Sequence, residues 1–220
     1  MHFINLHTHH PTGAPDVFEV ESLHYGQRAS GKTSLVSVGL HPWHLRDLDF
    51  PSAATWLRQQ AAKPDTVAIG EAGLDKVTET PWAKQIQAFE LCLQVAAEFD
   101  KPLIIHCVKA HGEVLQLLHR PPFARRKGAY AIFHGFDKHP QTAQMLLAAG
   151  CYLSFGAALF RENSPAAAAL EQTPADRFFL ETDDRAFDIK AVYARAAEIR
   201  GVLADQVKAR VWDNFHAAFE

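Results

Sequence analysis

Short apolar runs recur along the chain and alternate with longer stretches in which apolar residues return every three or four positions. The runs are Phe3–Leu6, Leu35–Leu40, Val67–Gly70, Leu103–Cys107, Tyr130–Phe133, Tyr152–Phe155 and Phe178–Glu181. They are continuous, which is the pattern of strands covered on both faces in a parallel sheet. The stretches between them read as helices. The longest is Pro81–Asp100, with Ile86, Phe89, Leu93, Ala96 and Ala97 at helical spacing and a stop at Asp100 and Pro102. Ser52–Ala62, Gly112–His119, Gln141–Ala149, residues 165–172, Ile189–Arg200 and Asp205–Phe219 complete the set. Val17–Tyr25 alternates only weakly and reads as an extra hairpin or edge strand, with Gly26–Lys32 as its turn.

Strand and helix alternate without a linker, an internal repeat or a low-complexity tract. This predicts one domain over residues 1–220, an α/β fold of the TIM-like (β/α) barrel type with seven or eight mostly parallel strands. An eighth strand is not evident, so the barrel is expected to be one strand short or irregularly closed between Phe3 and Phe179. No G-x-G-x-x-G follows the first strand, which weakens a dinucleotide-binding fold.

Composition narrows the class. A formal net charge of -3 and the lack of a basic stripe argue against a protein that tracks duplex phosphates. Cys92, Cys107 and Cys151 are widely spaced and form no C-x-x-C, so buried thiols are expected rather than disulfides or a thiolate zinc site. Neither a secretory leader nor an apolar run of membrane-spanning length is apparent, and a cytoplasmic protein fits these features. The outlier is histidine, 13 residues in all, several of them beside the apolar runs.

Ligand-type residues fall at the C-terminal ends of those runs. His7 and His9 follow the first, where alternate residues of an extended segment face one way. Glu71 ends the third run, His106 the fourth, His134 the fifth and Asp183 the seventh. A single histidine beside an apolar run is usually core or surface. In a barrel, however, these ends share one mouth, and the six residues become four imidazoles and two carboxylates. Such a nitrogen and oxygen set suits zinc, manganese or similar ions, and a bridging carboxylate suits a pair of them about 3.5–4 Å apart. His41 ends the second run and is read as a substrate contact, a support or a structural residue. His10, Trp43, His44, His111 and His139 are read as loop residues.

With these motifs in place, the chain resembles a short variant of the TatD family of metal-dependent deoxyribonucleases, within the amidohydrolase-like barrel superfamily. The resemblance runs from Ile4 to Phe215. It is carried by His7-x-His9, Gly39-Leu40-His41-Pro42, Ile69-Gly70-Glu71-Ala72-Gly73-Leu74-Asp75, Gln85 with Phe89, Lys101-Pro102 before Ile104-Ile105-His106-Cys107, His134-Gly135-Phe136, Tyr152–Gly156 and Leu180-Glu181-Thr182-Asp183. It implies two divalent ions (Zn, Mg or Mn): His7, His9 and Asp183 on the first, His106 and His134 on the second, and Glu71 bridging. Three positions depart from the family pattern. Asn5 stands where an Asp is usual, Val108-Lys109 where Arg-Asp is common, and Asp184-Arg185 where Ser-Pro is common.

The implied chemistry is phosphodiester hydrolysis by a metal-activated water, with Asp183 taking its proton and Glu71 sharing the catalytic work. DNA ends or small phosphodiesters are the expected substrates. Lys109 is the first candidate to grip a phosphate, followed by Lys138, Arg161 and Arg185. Trp43, Phe136 and Phe160 are candidates either to stack a base or to fill core and lid. The competing readings are a hydrolase of amides, esters or lactones in the same barrel, and a metal-binding protein that acts through a partner surface.

Overall fold

The computed structural model describes residues 1–33, 35–125, 130–185 and 187–219. Eight strands are found among them: β1 (Phe3–Thr8), β2 (Val17–His24), β3 (Leu35–Gly39), β4 (Thr66–Asp75), β5 (Leu103–Val108), β6 (Ala131–Phe133), β7 (Tyr152–Phe155) and β8 (Phe178–Leu180). They form one sheet in sequence order. Seven helices lie between or after them: α1 (Phe50–Ala61), α2 (Trp82–Glu98), α3 (His111–Leu118), α4 (Pro140–Ala148), α5 (Pro165–Gln172), α6 (Ile189–Arg200) and α7 (Ala204–Phe219). This is a TIM-like (β/α) barrel, nearly closed. The strands are buried almost throughout, as parallel strands covered on both faces must be. Among the described residues, no helix is long and apolar enough to cross a membrane.

Two expectations need correction. Val17–Tyr25 is no hairpin. As β2 it pairs parallel with β1, Phe3 opposite Val17 and Asn5 opposite Glu19, and supplies the strand that seemed missing. Its pattern misleads because it buries Glu19, Glu21 and Ser22. The Glu19 carboxyl accepts the amide N–H groups of Thr12 and Gly13, both at 2.8 Å, and so ties down the loop that replaces a crossover helix. The third apolar run also does not stop at Gly70; β4 continues through Glu71 to Asp75.

The chain divides into two compact units. One comprises Met1–Glu21, Gly31–Ser34 and Phe133–Glu220; the other comprises Ser22–Ser30 and Leu35–Ile132. In the second unit, β3, β4 and β5 are drawn close by glycine. A Cβ at Gly39 would lie 2.3 Å from the Glu71 carbonyl oxygen, and one at Gly73 only 1.9 Å from that of His106. The helix α2 covers β4 with Ala88, Phe89, Cys92, Val95 and Ala96 fully or almost fully buried. The same face buries Gln85, so it is rotated slightly from the apolar spacing alone. Cys92 is buried there, and burial pushes its thiol up to about 12.

In the first unit, β1 and β8 meet over a short length. Thr8 bridges Asp183 in parallel; the Asp183 N–H donates to the His7 carbonyl, and the His9 N–H to the Asp183 carbonyl. Lower on β1, the Tyr193 hydroxyl of α6 takes a strand's place. It accepts the Ile4 N–H at 3.0 Å and donates to the Ile4 carbonyl at 2.9 Å. Burial holds this phenol well above its ordinary pKa, so it stays a neutral donor and acceptor. Asp188 caps the first turn of α6 through the Lys190 N–H, and Gly201 ends that helix in the left-handed region (φ 63°).

Tyr193→Phe removes both hydrogen bonds and leaves two buried backbone groups without that partner. The expected loss of stability is about 2–3 kcal/mol, read from the urea midpoint at neutral pH. An unchanged midpoint would show that the hydroxyl is not what satisfies β1.

Candidate metal centre

In the first unit the ligand-type side chains gather at the β1–β8 seam. His7 lies inside β1 and is fully buried, and His9 follows the strand. The Asp183 carboxylate reaches both, with Oδ1 3.5 Å from His7 Nε2 and 3.8 Å from His9 Nε2. One ligand atom from each of the three can lie within 4.8 Å of the others, a spacing a single cation spans. Asp183 is held in the left-handed region (φ 53°), a conformation its short polar side chain tolerates. Asn5 fixes the residue before it. The Asn5 amide donates to Thr182 Oγ1 at 2.9 Å and its carbonyl oxygen accepts the Thr182 N–H at 3.0 Å. The Thr182 hydroxyl in turn donates to Thr8 Oγ1 at 3.1 Å.

His134, just after β6, brings a third imidazole to this unit, its ring centroid 4.3 Å from that of His7. Behind it lies the Glu181 carboxyl, fully buried. Glu181 Oε1 accepts the Gly135 N–H at 2.6 Å and lies 3.6 Å from His134 Nδ1, while Ser154 Oγ donates to Oε2. The ring thus turns Nδ1 toward a carboxyl, which leaves Nε2 for a ligand. This is the way metal-binding imidazoles are commonly oriented.

The second unit builds a matching group. The His106 Nδ1 lies 2.8 Å from Glu71 Oε1, and its Nε2 lies 3.2 Å from Asp75 Oδ2. Asp75 is locked on every side. It accepts the Trp43 indole N–H at 2.7 Å and the Val77 N–H at 2.7 Å, and Gln85 holds its backbone N–H and carbonyl. Burial alone would raise the Asp75 carboxyl. The Trp43 indole, the Val77 amide and the His106 ring outweigh it and hold the group below its ordinary value, so it is a carboxylate at neutral pH. A carboxylate at Nε2 favours the proton on that nitrogen and turns the Nδ1 lone pair toward Glu71.

His41 lies two residues after β3 and caps the short helical turn Pro42–His44. Its Nδ1 accepts the Trp43 N–H at 3.2 Å, which places its proton on Nε2. That nitrogen lies 2.9 Å from Glu71 Oε1 and 3.2 Å from His106 Nδ1. A carboxylate beside two imidazoles is a nitrogen and oxygen donor set of the kind that fits a divalent cation.

Lys109 follows β5 in the left-handed region (φ 54°) with its side chain exposed, and no hydrogen bond or ion pair joins it to these groups among the described residues. Phe136 is buried against Phe155, which removes it as a stacking surface. Four participants were not singled out from the sequence: Asp75, Glu181, Asn5 as a clamp, and His24. His24 ends β2 with its ring 5.2 Å from His41 and 5.1 Å from His44. A histidine at a strand's end was its signal, hidden because β2 was read as an extra hairpin or edge strand.

A barrel with histidines and carboxylates at the C-terminal ends of its strands is the class of metal-dependent hydrolases. The sequence pattern of TatD-related DNases matches residues 17–220, and the chain belongs to that family. YcfH of Escherichia coli K12, described as an uncharacterized metal-dependent hydrolase, is 29% identical over 198 residues, covering 83% of this chain and 72% of that protein. The 3'-5' ssDNA/RNA exonuclease TatD of Edwardsiella piscicida is 34% identical over 176 residues, 78% of this chain and 65% of that protein. Among solved structures, the TatD homologue YjjV of Escherichia coli K12 shares the fold with a TM-score of 0.84 at 20% identity, over 99% of this chain and 97% of that one.

Asp75→Asn and Glu181→Gln remove the carboxylates behind His106 and His134 while keeping side-chain size. Each is expected to weaken divalent-ion binding about 10–100-fold, measured by calorimetric titration of dialysed protein whose circular dichroism is unchanged. Wild-type affinity in both variants would show that these carboxylates orient nothing.

Proposed function

We propose that this chain is a single-domain hydrolase that cleaves phosphodiester bonds at single-stranded nucleic-acid ends with the help of two divalent ions, Zn, Mg or Mn. The observation that carries the reading is that imidazoles and a carboxylate gather in each unit: His7, His9 and Asp183 in the first, and Glu71 and His106, with His41, in the second. Each group would hold one ion, with His134 as a further imidazole beside His7. Ions bound there lower the pKa of water toward neutrality and polarise the phosphoryl oxygen.

The protein's own groups supply the rest. Asp183 has 41% of its side chain exposed, so it both faces the imidazoles and reaches solvent. It takes the proton of the attacking water and returns it to the leaving oxygen. Asn5 and Thr182 hold it for that task. His41, buried against Glu71, orients that carboxylate from 2.9 Å. Lys109, exposed after β5, draws the phosphate. The activity named for the Edwardsiella relative supports a substrate with a free strand end. A reducing cytoplasm suits the buried Cys92 and Cys151 thiols.

Metal-loaded protein is expected to release mononucleotides from a labelled single-stranded oligonucleotide, and Asp183→Asn to lower that rate by about 10²–10⁴-fold. Turnover of an ester, amide or lactone with no nucleotide released under Mg, Mn or Zn would replace the nuclease reading with its carbonyl-hydrolase competitor.

A further inference from the structure

Four cations were marked as candidates to hold a phosphate. In the first unit, Lys138 and Arg161 both pair with Asp137, Arg161 at 3.7 Å. Arg185 differs: its backbone N–H donates to the Thr182 carbonyl at 3.0 Å, and its guanidinium makes no ion pair among the described residues. It stands two residues after Asp183, on the rim of a cavity of about 450 Å³ that lies wholly within this unit. A cavity of that size holds a small ligand.

The floor of the cavity includes Asn5 and Thr182, the pair that positions Asp183. One wall is Phe187, 40% exposed, whose ring centroid lies 5.5 Å from that of Phe160, itself 45% exposed. Phe187 thus gives the cavity a half-exposed ring on which a planar group can stack. The other polar groups around the cavity make contacts of their own. Lys190 pairs with Asp16 at 2.8 Å, Glu19 is occupied by Thr12 and Gly13, Asp188 caps α6, and His10 faces Asp184 at 3.0 Å. Arg185 is the lining cation that has no ion pair among the described residues. An aromatic face beside an uncommitted guanidinium matches a nucleotide: a flat base for the ring and an anion for the fork of N–H donors.

We infer that this cavity is the subsite for the nucleotide adjoining the cleaved phosphodiester, with its base against Phe187 and its phosphate on Arg185. The assignment rests on the phosphodiesterase reading above.

The test is calorimetric binding of thymidine 5′-monophosphate to the full chain as purified, with thymidine and inorganic phosphate as comparison probes. The nucleotide should bind about tenfold more tightly than either fragment. Arg185→Ala should bring it to the level of thymidine, and Phe187→Ala should weaken it about tenfold. Both side chains are exposed, so both variants should fold. Wild-type affinity in the two variants, equal binding of phosphate alone, or no nucleotide binding at all would overturn the assignment. No turnover is measured here, so failure of the nuclease reading shows in the oligonucleotide assay and failure of the subsite shows in this one.

Discussion

The β1–β8 seam is short because β8 has only three residues, and every backbone group left over must find another partner. The solutions to that problem also shape the chemistry. Asp183 continues the ladder past the end of β8 by exchanging hydrogen bonds with His7 and His9. Its carboxylate thereby comes to rest beside the same two imidazoles. Asn5 satisfies the Thr182 backbone and Tyr193 satisfies Ile4. Closing the sheet and assembling a ligand group are one set of hydrogen bonds.

A second constraint governs the imidazoles. A neutral histidine has one donor and one acceptor nitrogen, so the partner behind the ring decides which lone pair faces forward. In the second unit Asp75 takes this part for His106, and the Trp43 N–H takes it for His41. In the first unit Glu181 stands behind His134. Burying a carboxyl as deeply as Glu181 is unfavourable unless its oxygens are satisfied, and Gly135 and Ser154 satisfy them. The orientation of each ring is thus fixed by groups that would not themselves touch a substrate.

Much of the fold was legible in the sequence, because a strand buried on both faces must be an apolar run and a helix lying on it must be amphipathic. Two parts were hidden for physical reasons. β2 buries Glu19 and Glu21 and is joined to β1 without a helix, so neither period nor spacing marked it. The outer half of β4 runs through Glu71, which faces His41 and His106, and Gly73, which permits the close approach to β5; neither marks a strand by propensity. The candidate ligands were visible as histidines and carboxylates at strand ends. The supports were not: Asp75, Glu181 and Asn5 acquire their parts from partners up to 177 residues away in the chain, and no local pattern reports such a pairing.

The central claim is that each of the two groups holds a cation. It is tested most directly by counting divalent ions bound per chain, by plasma mass spectrometry of protein equilibrated with a zinc or manganese buffer and then dialysed. The account predicts two ions in the wild type, and one in either His9→Ala or His106→Ala. Two ions retained in both variants, or none in the wild type, would contradict it.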